Sequence, residues 1–343
     1  MNELLDTRSR DRTVAYWLLI CCALVFAMIV LGGVTRLTGS GLSMAEWRPI
    51  MGTLPPLTDA EWQRVFEIYQ QTPEFQKVNS HMDVHDFKGI FWLEYLHRLL
   101  GRLLGLVFLL PLVYFVARKY ISWGQLPWYV LMFALGGLQA VIGKIMVASG
   151  QVDAPQVSHY RLTAHLSAAF LVYALMFWRA QTLLHGVPRS AAHACYRSTL
   201  ALTVLIAITI VSGGFVAGLD AGLIYNTFPK MGDYWLPPGL LALEPAWRNI
   251  FDNLTTVQFD HRVLALTTFT LIIVYWLRAR GARLSRHERI GATALLVVAA
   301  LQVVLGILTV VMAVPTTMAV AHQGNALLLL TSALYLSHAL RRG

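Results

Sequence analysis

Charge is scarce in this chain: only 13% of its 343 residues are Asp, Glu, Lys or Arg, against 57% that are apolar. That balance excludes an ordinary soluble domain and points to a chain that crosses a membrane several times. Acidic residues are the scarcer sign, 18 against 27 basic, for a net charge of +9. In a soluble chain that excess would point to nucleic acid. Here the basic residues gather in short loops, as cytoplasmic loops of membrane proteins do, and nucleic acid is not an expected partner. Cysteine is also rare. Cys21 and Cys22 lie in the first apolar run and Cys195 in a basic loop. None has metal-motif spacing and none lies in a loop expected outside, so no structural disulfide is expected.

Long apolar runs are plentiful. Length and hydropathy predict eight spans, near 14–34, 91–117, 125–148, 160–183, 197–218, 257–278, 288–313 and 317–340. The first run lacks a small-residue cleavage site and is read as a retained span, not a signal peptide. Pro111 falls inside the second span and predicts a kink there. If the spans alternate, Arg8, Arg10, Arg12, Arg118, Lys119, Arg189, Arg197, Arg278, Arg280, Arg283, Arg286, Arg289, Arg341 and Arg342 share one side. That side is the cytoplasm, with both termini on it. Loops 35–90 and 219–256 then face outward. Residues 58–76, with Trp62, Val65, Phe66, Ile68 and Tyr69, read as a helix lying on the membrane surface.

The two halves of the chain repeat each other. Gly32-Gly33 matches Gly213-Gly214, Pro49-Ile50-Met51-Gly52 matches Pro229-Lys230-Met231-Gly232, and Leu54-Pro55-Pro56 matches Leu236-Pro237-Pro238. His97-Arg98 matches His261-Arg262, Leu138-Gln139 with Gly143 matches Leu301-Gln302 with Gly306, and Ala164-His165 matches Ala321-His322. Each half holds four spans, so the repeat is parallel, about an axis along the membrane normal. The predicted fold is all-α and polytopic, two four-helix bundles side by side. Residues 1–183 form the first half, 184–196 a cytoplasmic linker, and 197–343 the second half.

Ionisable side chains inside spans are expensive and mark function. His97, His165, His261 and His322 all fall toward the outer ends of spans, one pair in each half. Two imidazoles facing each other from opposite helices of a four-helix bundle suit axial ligation of haem iron. Gly101, Gly105 and Gly143 would leave room for a macrocycle. The bland alternative is a hydrogen bond between helices. His185, His193, His287 and His338 read as solvated cytoplasmic residues, His81 and His85 as exposed loop residues.

The halves differ in three places. Glu94, Lys144 and Arg161 in the first half stand where the second has Gln258, Ile307 and Met318. Glu94 shares a helix face with His97 and could carry protons there, or it could pair with Arg98 or Arg102 one turn on. One catalytic half and one electron-relay half follow.

The stretch Glu94-Tyr95-Leu96-His97-Arg98, the Gly-Gly-Val-Thr-Arg-Leu-Thr-Gly-Ser-Gly-Leu-Ser run at 32–43, Trp47-Arg48-Pro49 and Phe259-Asp260-His261-Arg262 resemble haem A synthase, in its proteobacterial and mitochondrial branch. The resemblance runs through nearly the whole chain. It implies oxidation of the C8 methyl of haem O to a formyl, giving haem A for cytochrome oxidase. It implies His97 and His165 as ligands of the substrate haem, His261 and His322 as ligands of a haem b cofactor, and Glu94 as the catalytic carboxylate. It implies residence in the bacterial inner membrane. The implied partners are haem O synthase as substrate donor, an electron donor of unspecified identity, lipid, and a second copy of the chain. Some bacterial members carry a cysteine pair in an outer loop; this chain has none at 35–90 or 219–256. With both axial positions filled, either one ligand releases for dioxygen or water attacks after electron removal; the residues leave both routes open. Near the outer face, Arg36, Arg48, Arg161 and Arg248 are candidates for haem propionates, with headgroups or loop carboxylates as the alternative. The rival readings are a dihaem b-type electron carrier or quinol oxidoreductase, which leaves the Glu94, Lys144 and Arg161 asymmetry unexplained, and a transporter.

Overall fold

The computed structural model describes residues 2–46, 54–150, 156–186 and 194–341. Among these residues the chain is helical, with no strand. The long helices are α1 (Asn2–Leu37), α3 (Val84–Ala117), α4 (Leu126–Ser149), α5 (His159–His185), α6 (Tyr196–Gly218), α8 (Leu254–Arg280), α9 (Arg286–Val311) and α10 (Thr316–Leu340), with longer connecting segments between α1 and α3 and between α6 and α8. Those segments carry α2 (Asp59–Gln70) and a one-turn α7 (Asn249–Asp252). Seven of the long helices are apolar and long enough to cross a membrane. The eighth, α10, has the length at 25 residues but falls outside that set. Its first turns carry His322, Gln323 and Asn325, and it is the helix most enclosed by protein, with Leu327, Ala333, Leu336 and Leu340 fully buried. A helix shielded from lipid by its neighbours needs less hydropathy of its own.

Local chemistry sets where the helices begin. Asp83 caps α3, its Oδ1 accepting from the backbone N–H groups of His85 and Asp86 at 2.8 and 2.9 Å. The helix therefore starts seven residues before the apolar run does. Asn253 caps α8 in the same way through Thr255 and Thr256. Ser285 and Glu288 form a reciprocal capping box on α9. Helix α3 runs through Pro111 without interruption.

The packing repeats between halves. Helix α1 packs against α3 and α5, and α4 packs against α3 and α5, closing a ring of four. In the second half α6 packs against α8 and α10, and α9 against α8 and α10. Between the rings, α1 meets α10, α6 meets α5, and α5 meets α10. The paired glycines explain how. A Cβ on Gly33 would come 3.1 Å from the Gln323 amide, and one on Gly214 would come 3.0 Å from Thr163. The second glycine of each pair thus lets α1 approach α10 and α6 approach α5. Apolar side chains left exposed, such as Leu106, Leu110, Val141, Val204, Val297 and Val304, cover the outside of the helices.

One expectation changes. The amphipathic helix read at 58–76 exists as the shorter α2, held by a Thr58–Glu61 capping box, and its apolar face is covered by protein. Trp62, Phe66 and Tyr69 pack on Phe87, Ile90, Phe91 and Tyr95 at the N-terminal end of α3. Tyr69 stacks on Phe87 with ring centres 4.9 Å apart.

Candidate functional site

The four histidines occupy equivalent places. His97 is on α3 and His165 on α5, helices opposite each other in the first ring; His261 on α8 and His322 on α10 are opposite in the second. Each imidazole packs against a glycine of a flanking helix. A Cβ on Gly32 would lie 2.9 Å from His97 Cε1, and one on Gly213 would lie 3.0 Å from His261 Cε1. A Cβ on Gly143 would lie 3.5 Å from His165 Cε1, and one on Gly306 would lie 2.9 Å from His322 Cε1. The first glycine of each Gly-Gly pair therefore serves the histidine of its own half. The sequence had placed Gly143 at such a site. It had also offered Gly101 and Gly105, but Gly101 faces Met28 and Gly105 has open space beside it.

The rings of His261 and His322 lie perpendicular, with centroids 6.5 Å apart and planes at 88°. Two imidazoles sharing one metal atom at about 2 Å each have ring centres roughly 6–6.5 Å apart. The donor set thus fits an iron between two imidazoles. Ser212 supports it: its hydroxyl donates to the Thr209 carbonyl at 2.8 Å and lies 2.8 Å from His261 Nδ1. That leaves Ser212 Oγ to accept from Nδ1–H and frees Nε2 as a ligand. On the other side the Gln302 amide nitrogen donates to the His322 carbonyl at 3.1 Å and lies 3.2 and 3.4 Å from His322 Nδ1 and Nε2; being a donor, it steadies the helix turn and does not accept from Nδ1–H. Asn325 Nδ2 in turn donates to Gln302 Oε1 at 2.7 Å.

In the first half the same atoms lack partners. Among the described residues His97 Nδ1, His165 Nδ1 and both polar atoms of Gln139 are buried without a hydrogen bond. Each orphaned atom costs about 1–3 kcal/mol unless a ligand meets it. Glu94 and Arg98 sit beside them, both enclosed, with Arg98 Nε donating to Glu94 Oε1 at 2.6 Å. The pairing with Arg98 that the spacing allowed is therefore formed. Arg98 also reaches the Met44 and Glu46 carbonyls of the outer loop. Arg262 reaches the Tyr225, Thr227 and Lys230 carbonyls in the equivalent way, and Gln258 donates to the Tyr225 carbonyl where Glu94 has no counterpart bond. These loop-pinning roles of Arg98 and Arg262 escaped the sequence reading, although both follow a histidine in the repeat.

The other candidates are placed as follows. Arg36 pairs with Asp220 at 2.6 Å and donates to the Ala217 carbonyl, tying α1 to the end of α6. Arg161 donates to the Ile145 carbonyl at 2.8 Å. Arg248 pairs with Asp252 at 3.0 Å. Asp252 also takes His159 Nε2 at 3.1 Å and the Tyr160 hydroxyl at 2.7 Å. These bonds hold the Asp252 carboxyl below the usual carboxylate range, the Tyr160 hydroxyl first among them. Lys144 is exposed. Arg48 and most of the linker lie outside the described residues. The sequence had placed His338 in solvent. It is buried between α10 and α5, 3.1 Å from Thr182 Oγ1 and edge-on to Trp178. The three cysteines are free, with Cys21 and Cys22 buried.

Comparison with known proteins now bears on this arrangement. Residues 15–334 match the COX15-CtaA family, described as a cytochrome oxidase assembly protein. The chain belongs to that family. Among its relatives, a haem A synthase of Nitrosospira multiformis is 51% identical, over 97% of this chain and 94% of the relative. A haem A synthase of Paramagnetospirillum magneticum is 49% identical, over 96% and 94%. The human haem A synthase COX15 is 43% identical, over 98% of this chain and 85% of the relative. This chain is a multi-pass membrane enzyme of the haem A synthase family.

Proposed function

We propose that the chain oxidises the C8 methyl of haem O to a formyl group, making haem A for cytochrome oxidase. In this reading residues 1–183 are the substrate half and 197–343 the electron-relay half, joined by the linker 184–196. His97 and His165 hold the substrate. Glu94 is the catalytic acid–base group, and the ion pair with Arg98 fixes where its carboxylate sits. His261 and His322 hold haem b, which supplies electron storage and transfer when bound. The eight long helices cross the inner membrane with both termini in the cytoplasm, so both histidine pairs lie toward the outer face. Haem O synthase is the expected substrate donor.

One observation carries the proposal. Four imidazoles sit against glycines at repeated positions, yet only one half adds a buried carboxylate, Glu94, one turn from its histidine. A protein that only passed electrons would have no use for that difference. The test is Glu94→Gln in purified protein supplied with haem O and reductant. The expected result is normal haem content with no formyl product. Full turnover at normal haem content removes Glu94 from the chemistry, and a wild type that makes no formyl haem returns the dihaem electron carrier.

A further inference from the structure

The two haem sites assigned above differ in how their imidazoles are anchored, and the difference has a consequence for exchange. In the second half Ser212 Oγ can accept from His261 Nδ1–H, and Asn325 braces the Gln302 amide, which donates to the His322 carbonyl and holds the helix turn that carries that histidine. Through the repeat, Ser212 corresponds to Leu31, one residue before the first glycine in each case. Asn325 corresponds to Ala168, three residues after the histidine in each case. Gln302 corresponds to Gln139. Neither Leu nor Ala can offer a hydrogen bond from its side chain. Among the described residues the retained Gln139 has no partner at either polar atom, and neither His97 nor His165 has one at Nδ1.

We propose that Ser212, Gln302 and Asn325 make the second site one that keeps its haem, and that Leu31 and Ala168 make the first site one that lets its haem go. The inference rests on the site assignment under Proposed function. Its physics is simple. A hydrogen bond to the non-ligating nitrogen fixes the tautomer and orientation of an imidazole and raises its basicity, and losing such a partner weakens metal binding by about 10–100-fold. A resident electron carrier gains from that anchoring. A substrate that must enter, react and depart as product does not, and an unanchored imidazole is free to turn off the iron. The first half tolerates orphaned buried atoms that the second half has satisfied, which is the pattern expected where binding strength has been given up for turnover.

The test follows haem residence and needs no turnover. The full-length protein in lipid nanodiscs is loaded with haem b and haem O, then mixed with excess haem-free myoglobin as scavenger. The haem left on the protein is identified by mass over time. Wild type is expected to lose haem O faster than haem b. Leu31→Ser with Ala168→Asn is expected to slow haem O loss about 10–100-fold, and Ser212→Ala with Asn325→Ala to speed haem b loss by a like factor. Ser212→Thr keeps a hydroxyl and is expected to restore wild-type retention, which a general packing defect would not do; this pair of variants also stands if the first-half double variant does not fold. Equal release of both haems from wild type, or haem b release unchanged in Ser212→Ala with Asn325→Ala, overturns the inference while leaving the site assignment intact. A wild type that takes up haem at neither histidine pair overturns both.

Discussion

Replacing Gly306 by Ala adds one methyl group against one imidazole, and its effect can be worked out in advance. The new Cβ would lie 2.9 Å from His322 Cε1 and 3.4 Å from Nδ1. Carbon atoms settle at about 3.5–4.0 Å, so ring or helix must move by roughly 0.6–1 Å. Overpacking of this kind costs about 1–3 kcal/mol, while Ala in place of Gly in a helix interior returns about 1 kcal/mol. The fold therefore survives with a small net loss. The ligand geometry does not, because such sites need their groups within about 0.5 Å. A displacement near 1 Å at a reacting or ligating group typically costs about 100-fold. Gly213→Ala should behave alike, with its Cβ 3.0 Å from His261, and Gly32→Ala should damage the first site, at 2.9 Å from His97. Gly143→Ala is the internal control, because 3.5 Å from His165 is an ordinary contact. Gly137→Ala meets nothing within 4 Å and controls for helix propensity. The assay is haem content by extraction, with helix content and thermal unfolding measured on the same samples. Full haem content in Gly306→Ala, or loss in Gly143→Ala equal to that in Gly306→Ala, would refute the reasoning.

Three other outcomes are expected. Glu94→Ala leaves the enclosed Arg98 guanidinium without its carboxylate and should lower stability by about 3–5 kcal/mol, whereas Glu94→Gln keeps an acceptor and should lower it less; thermal unfolding of the two variants decides. Glu74, in the outer segment beneath α2, is only 7% exposed, and burial pushes its carboxyl up to about 7, with the Glu94 charge adding to the rise. The folded state then binds more protons than the unfolded one between the ordinary value of 4.5 and about 7, so stability there should fall as pH rises, by about 3 kcal/mol in all. Hydrogen exchange of the α2 backbone from pH 5 to pH 8 should show loosening in wild type and none in Glu74→Gln. Asp220→Ala removes a pair whose acid is 72% exposed and should cost at most about 1 kcal/mol in a thermal melt, while Arg36→Ala also strips the Ala217 carbonyl and should cost more.

Much of the site was legible before any coordinates. Histidines in apolar runs stand out because lipid penalises them, and the ordered matches between halves assigned them to the helix pairs that lie opposite each other in the fold. The contrast of Glu94 with Gln258 needed only the same alignment. What escaped was whatever depends on contact between distant segments. The glycines that back the imidazoles come from other helices, so no spacing rule links Gly32 to His97 or Gly306 to His322. Ser212 read as an ordinary residue of an apolar run until its hydroxyl was found 2.8 Å from His261. His338 read as solvated because it sits near the end of a span beside arginines; Trp178 and Thr182 of α5 close over it.

By itself the sequence determined that the chain is a helical membrane protein built twice over, with two imidazoles per copy and an extra carboxylate in one. Those features are one-dimensional: hydropathy, periodicity and repetition are properties of the order of residues. The tertiary structure alone decided which helices lie opposite each other, that α2 packs its apolar face on the end of α3, and that His261 has a hydroxyl at Nδ1 where His97 and His165 have no partner among the described residues. Those depend on where side chains from separate helices come within hydrogen-bonding or van der Waals distance, a few ångströms that packing sets and the order of residues does not state.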